Sequence, residues 1–267
     1  MQSTTRGFGI LLAAAAGLMS STQLFAQEDP LAITFDNTYS SKYMWRGYDL
    51  FESNGAWMPS IDFDLWGTGW NVNVWSAVPL GSGSEELTEL DYTFGYATTL
   101  FEEEMYQLDL GANWIYYDFP KANGSADTVE WGLGGELPNV FGDLGLVPSF
   151  YFGWLSAAEN GATEVNEDSG ETEQVDIAGQ YYSFGLSYDF EVMSQAFNIY
   201  SDVAYNGGLF GAPHGFSHTT VTLSTGWEFG MLSLTPFLSY QYTCETELND
   251  DGDENELWGG LSATLSF

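Results

Sequence analysis

From residue 31 onward the sequence alternates apolar and polar residues at a period of two, and it does so in twelve successive segments. A period of two is a strand signature, since a helix repeats every 3.6 residues, so each segment is a ribbon with one greasy and one wet face. In the first segment Ile33, Phe35, Tyr39, Tyr43 and Trp45 share one parity, and Asp36, Lys42 and Arg46 the other. In the second, Trp57, Pro59, Ile61 and Phe63 oppose Ser60, Asp62 and Asp64. The fifth sets Leu108, Leu110, Trp114 and Tyr116 against Asp109, Gly111 and Asn113. The last sets Leu261, Ala263, Leu265 and Phe267 against Gly260, Ser262, Thr264 and Ser266.

A soluble sandwich also alternates, but three features point elsewhere. The segments run about 9 to 13 residues, the length of a tilted strand crossing a bilayer, whereas sandwich strands run nearer five or six. Trp and Tyr recur at the ends of the apolar parity (Trp45, Trp57, Trp66, Trp70, Tyr116, Trp154, Trp227), as in an aromatic girdle. The connections also alternate in length. Short ones such as 67–69 and Gly230 follow even-numbered segments, and longer ones such as 47–55, 158–178 and 245–256 follow odd-numbered segments. The expected fold is therefore all-β: a transmembrane antiparallel up-and-down β-barrel of twelve strands, with both termini in the periplasm. In hydrocarbon every backbone N–H and C=O must pair within the protein, so the sheet has to close. The apolar parity then faces lipid, the polar parity faces the lumen, and no core of the soluble kind is expected.

Residues 1–26 read as a cleaved secretory signal peptide and 27–267 as the barrel domain. Arg6 supplies positive charge, Gly7–Met19 is mostly apolar, and Leu24-Phe25-Ala26 offers a cleavage point. No apolar run is long enough for a transmembrane helix. Four basic residues stand against 38 acidic ones, a net charge of −34, which argues against nucleic acid as a partner. The single cysteine, Cys244, allows no internal disulfide and no zinc cluster, and no cofactor is expected.

Three short motifs carry a family likeness. The stretch Tyr39-Ser40-Ser41-Lys42-Tyr43-Met44-Trp45-Arg46-Gly47, with its Tyr-x-x-Arg-Gly ending, resembles the TorF-type porin family of conserved hypothetical outer-membrane proteins. Gly69-Trp70-Asn71-Val72-Asn73-Val74-Trp75-Ser76 and Glu89-Leu90-Asp91-Tyr92-Thr93-Phe94-Gly95-Tyr96 are similar to that family's hairpin and following strand, in the same order. The likeness spans residues 35 to 120. It departs after Arg46-Gly47, where Tyr48-Asp49-Leu50-Phe51-Glu52 replaces a polar loop. The resemblance implies a barrel and a passive channel, with no substrate attached. The alternation Leu261, Ala263, Leu265, Phe267 looks like the C-terminal signal read by the outer-membrane assembly machinery.

Ten acids fall on the inward parity: Asp36, Asp62, Asp64, Asp91, Asp109, Glu130, Glu136, Asp189, Asp202 and Glu228, opposed by Lys42 and Arg46. A low-dielectric tube lined this way favours cations. The first hairpin is expected to bring Lys42 near Ser60 and Asp62. The expected role is a porin for passive diffusion of small neutral or cationic solutes, with a non-conducting structural or surface-interaction barrel as the alternative. Outer-membrane lipid and lipopolysaccharide are the expected surroundings. The loops 158–178 and 245–256 hold seven acids each and could bind divalent cations loosely, although position twelve of a calcium loop starting at Glu247 is Trp258 rather than Glu. A hydrolase is a distant alternative: His214, Ser217 and His218 cluster, but Pro213–His218 matches no barrel-hydrolase motif, so no catalytic residues are expected.

Overall fold

The computed structural model describes residues 31–52, 54–122, 126–158, 162–165, 172–175, 178–244 and 255–267. The proposed signal peptide lies outside these, as do most of the two acidic loops.

Twelve long strands form one closed antiparallel sheet. They are β1 (Ala32–Ser40), β2 (Ala56–Asp64), β3 (Trp70–Pro79), β4 (Glu89–Leu100), β5 (Leu108–Asp118) and β6 (Thr128–Glu136). Then come β7 (Leu146–Ala157), β8 (Gly179–Val192), β9 (Gln195–Gly207), β10 (Gly215–Thr225, extended by Trp227–Phe229), β11 (Leu232–Thr243) and β12 (Asn255–Ser266). Each strand pairs with its neighbour in sequence, and β12 returns to pair β1 through Thr34↔Ser266 to Ser40↔Gly260. The seam is finished by two backbone bonds between Ile33 and Phe267, at 3.3 and 3.0 Å. Closure leaves no free edge, as a chain crossing oil requires.

The connections sort to two ends. At the turn end, β8 and β9 are joined by Met193-Ser194, both with positive φ (51° and 64°), the mirror-type turn that fits the twist of paired strands. The three longest connections, 41–55, 158–178 and 244–254, all emerge at the opposite, loop end.

The outward face is apolar along the wall: Phe35, Tyr39, Trp57, Trp70, Phe94, Trp131, Trp154, Phe184, Leu223, Leu238 and Leu261 all remain exposed. The inward parity carries Thr, Ser, Asn and acids that bond across strands, such as Thr222 to Ser239 at 2.8 Å and Ser183 to Asp202 at 2.9 Å.

Two sequence expectations are corrected here. The first strand ends at Ser40 rather than continuing to Arg46, so Tyr43 does not face outward and Trp45 is not a girdle residue. Both are buried, at 2% and 4% exposure. The interior is also not devoid of a core. Tyr43, Trp45 and Phe51 pack with Ile115, Tyr117, Tyr151, Leu155, Tyr181 and Leu209 into an apolar cluster at the loop end. The physical reason is common to both. Once the chain leaves β1 it folds back into the barrel, where its aromatic residues escape water against the wall rather than against lipid.

Candidate functional site: the loop-end interior and its inserted hairpin

The inserted segment is a two-rung hairpin, Met44–Trp45 against Tyr48–Asp49. Its turn is Arg46-Gly47, with φ of 50° and 98°, the two-residue mirror-type turn in which both central residues adopt positive φ. Gly47 is required twice over: its φ is left-handed, and a Cβ there would come within 2.6 Å of His218 Nδ1 on β10. The Arg-Gly pair thus has a structural role, placing Arg46 at the tip of a hairpin aimed into the barrel.

The hairpin touches the wall on nearly every side. The Tyr43 ring lies 5.8 Å from Trp75 on β3, and its hydroxyl donates to Glu89 on β4 at 2.6 Å. Trp45 meets Tyr117 on β5 edge-on at 6.1 Å and Phe210, from the loop between β9 and β10, at 5.7 Å. Gln241 on β11 donates to the Gly47 carbonyl at 2.9 Å. Lys42 bridges Asp49 at 3.1 Å and Glu256 on β12. Contacts to strands this far round the ring are possible only from inside, so they also fix which parity of the wall points inward.

The centre of the assembly is Arg46. Its Nη2 donates to both oxygens of Glu130 on β6, at 2.6 and 2.5 Å. Glu130 also accepts from the hydroxyls of Tyr117, at 3.0 Å, and Tyr151. The guanidinium lies over Trp45 and over Tyr181 of β8, each 4.6 Å from the ring centroid, a cation–π geometry. The pair is sealed, with side-chain exposures of 2% and 0%. Burial works against the Arg46 charge, but Glu130, joined by Tyr117 and Tyr151, raises the pKa on balance. Burial likewise pushes the Tyr43 phenol well above its ordinary range, reinforced by Glu89 and Asp91, and keeps it a donor.

The remaining sequence-derived positions follow from the register. Asp62 and Asp64 face Asn73 and Asn71, Asp109 faces Glu136, and Asp189 faces Asn198, which donates to it at 2.7 Å. Glu228 faces Ser233. These six acids ring the turn end. Asp36, held by Thr38 and Thr264 at 2.7 Å each, and Asp202 sit at mid-depth, while Asp91 and Glu130 lie at the loop end. Of the four basic residues, Arg6 is outside the described residues, and Lys42, Arg46 and Lys121 all belong to loop-end segments. Lys42 does not meet Ser60 or Asp62 as expected. The register puts Asp62 opposite Thr34 near the turn end, whereas Lys42 lies beyond the far end of β1.

Sequence reasoning missed Glu89, Asp49 and Glu256, and the tyrosines Tyr117, Tyr151 and Tyr181. A detectable signal was there: aromatic residues and Ile115 occupying the wet parity of β5, β7 and β8. Ser217 and His218 are adjacent and buried, with Oγ and Nδ1 3.0 Å apart at the point where the β9–β10 register slips by one residue. His218 stacks on Tyr181, packed into the hairpin's seat rather than opening onto a cleft. Among the described residues no three His, Cys, Asp or Glu gather as a metal site.

Fold and interior together define a transmembrane β-barrel with a loop folded into its lumen. No family model matches the chain, and no curated protein matches it. Among solved structures, an outer membrane channel from Pseudomonas putida F1 is similar at 10% identity and a TM-score of 0.53, over 93% of this chain and 100% of that one. The NanC porin is similar at 10% identity and a TM-score of 0.49, over 88% and 98%. The first of these likenesses shows that the chain has the fold of an outer-membrane channel.

Proposed function

We propose that this chain is an outer-membrane channel for passive diffusion of small neutral or cationic solutes, narrowed at its loop end by its own first loop. One observation carries this: six carboxylates ring the turn-end interior, and every described basic side chain lies at the other end. A ring of one sign in a low-dielectric tube concentrates counter-ions and excludes co-ions. In this proposal residues 1–26 direct export, both termini are periplasmic, and Leu261, Ala263, Leu265 and Phe267 serve the assembly machinery. Lipid and lipopolysaccharide surround the wall, and the acidic loops hold divalent cations loosely. The three motifs between residues 35 and 120 support kinship with TorF-type porins.

The test is conductance in planar bilayers under a potassium chloride gradient. The reversal potential should report cation preference, and D62N/D64N/D109N/E136Q should bring it toward zero. Anion preference, or a quadruple variant indistinguishable from wild type, would refute the proposal. A second reading, a non-conducting structural or surface-interaction barrel, is favoured by the breadth of the hairpin's contacts across the loop end. A folded barrel that never shows unitary currents would establish it.

A further inference from the structure

The partners of the Arg46 guanidinium divide into two sets. Trp45 travels with the arginine on the hairpin. Glu130, Tyr117, Tyr151 and Tyr181 belong to four consecutive strands of the wall, β5 to β8, whose relative positions are fixed by uninterrupted ladders. The wall therefore presents a carboxylate flanked by two phenol donors and an aromatic face, whether or not the arginine is there. Gly153 on β7 completes the recess. A Cβ at that position would stand 2.6 Å from Glu130 Oε1 and 3.1 Å from Arg46 Nη2.

This is the chemistry that recognises a flat, delocalised cation. The carboxylate matches the guanidinium fork, and the aromatic ring matches its weakly hydrated face. The tethered arginine uses the recess incompletely. One nitrogen, Nη2, serves both carboxylate oxygens, while Nε and Nη1 have no hydrogen-bond acceptor among the described residues. A free guanidinium is not held at the hairpin's angle and can offer two nitrogens to the two oxygens, the stronger bidentate arrangement.

We propose that Glu130, Tyr117, Tyr151 and Tyr181 form a binding site for guanidinium-bearing solutes, which Arg46 occupies in the resting barrel. The site deepens the cation-channel reading and rests on it for how a solute arrives. The side chain of Arg46 can swing aside for an incoming cation while Tyr43, Trp45 and Phe51 keep the hairpin seated.

The test uses the full chain folded in detergent, with methylguanidinium as the probe and isothermal titration as the readout. R46A should bind it saturably and about tenfold more tightly than wild type, because the resident competitor is gone. R46A/E130Q should lose that gain, and potassium should not compete at equal concentration. R46M, which keeps an apolar stem in place, repeats the measurement if R46A does not fold. Wild type should bind the same probe weakly but saturably. Folded R46A or R46M without saturable binding, binding indifferent to E130Q, or wild type without any overturns the site. Binding in a barrel that never conducts would sink the channel reading alone, and conduction without binding would sink the site alone.

Discussion

Removing the Glu130 carboxylate should strand a buried charge. In E130A the Arg46 guanidinium keeps its two aromatic faces but loses its only anionic partner among the described residues, and the Tyr117 and Tyr151 hydroxyls lose their acceptor. Two unit charges about 4 Å apart at an effective dielectric near 20 attract by about 4 kcal/mol, in line with the roughly 3–5 kcal/mol lost on breaking sealed pairs. The pair here is sealed, with side-chain exposures of 2% and 0%, so solvent screening does not discount the figure. Undocking the hairpin is no escape. It would expose Tyr43, Trp45 and Phe51, each contributing at least about 1.5 kcal/mol of burial. E130A should therefore lose about 3–5 kcal/mol. R46A should lose less, because Glu130 keeps two phenol donors. The joint replacement R46M/E130L should cost less than E130A alone, because the desolvation of both charges disappears with them. Urea titration in phospholipid vesicles, followed by tryptophan emission and the gel shift of unboiled samples, gives all three values. A joint replacement that costs as much as E130A, or an E130A penalty under about 1 kcal/mol, would refute the reasoning.

Three more outcomes follow from the same seat. G153A places a methyl against Glu130 and Arg46 and should destabilise the barrel by about 1–3 kcal/mol in the urea assay, whereas an unchanged midpoint would show that the recess yields. G47A meets both a left-handed backbone and His218, so its emission spectrum should show a more solvated Trp45; a spectrum like that of wild type would contradict the turn assignment. Burial lowers the Lys42 pKa, but its bonds to Glu256 and Asp49 prevail and hold it above the ordinary 10.5. A raised pKa contributes stability that is full below the unfolded value and lost as pH climbs through the folded one. Hairpin docking, read from fluorescence, should therefore be flat from about pH 7 to 10; a Lys42-dependent transition inside that window would disprove the tether.

The wall was legible because one physical demand repeats in every strand: an outward residue is apolar, and its neighbours are not. Phe35, Trp57, Tyr92 and Leu261 obey that demand individually, so the parity of any one strand could be read without its partners. The hairpin was not legible because its apolar residues satisfy the same local pattern for a different reason. Tyr43 and Trp45 continue the parity of Ile33, Phe35 and Tyr39 across Ser41-Lys42, and nothing in a period-two count separates a strand running on from a chain turning inward. The site suffered similarly. Asp91 and Glu130 were recognisable as inward acids, but the partner of Glu130 lies 84 residues away in a loop, a pairing that alternation cannot encode. Arg46-Gly47 was visible as a motif, and its meaning required the positive φ angles of both residues.

The order in which the chain is made bears on the inserted hairpin. Residues 43–51 leave the ribosome well before the strands that receive them, since the seat is built from positions 75 to 256. Until those strands assemble, Tyr43, Trp45 and Phe51 are three sticky rings on a mobile tether with nowhere to dock. A chaperone that shelters residues 43–51 would have its greatest value at that stage, and the hairpin can settle only as a late event, after the cylinder around it has rounded up.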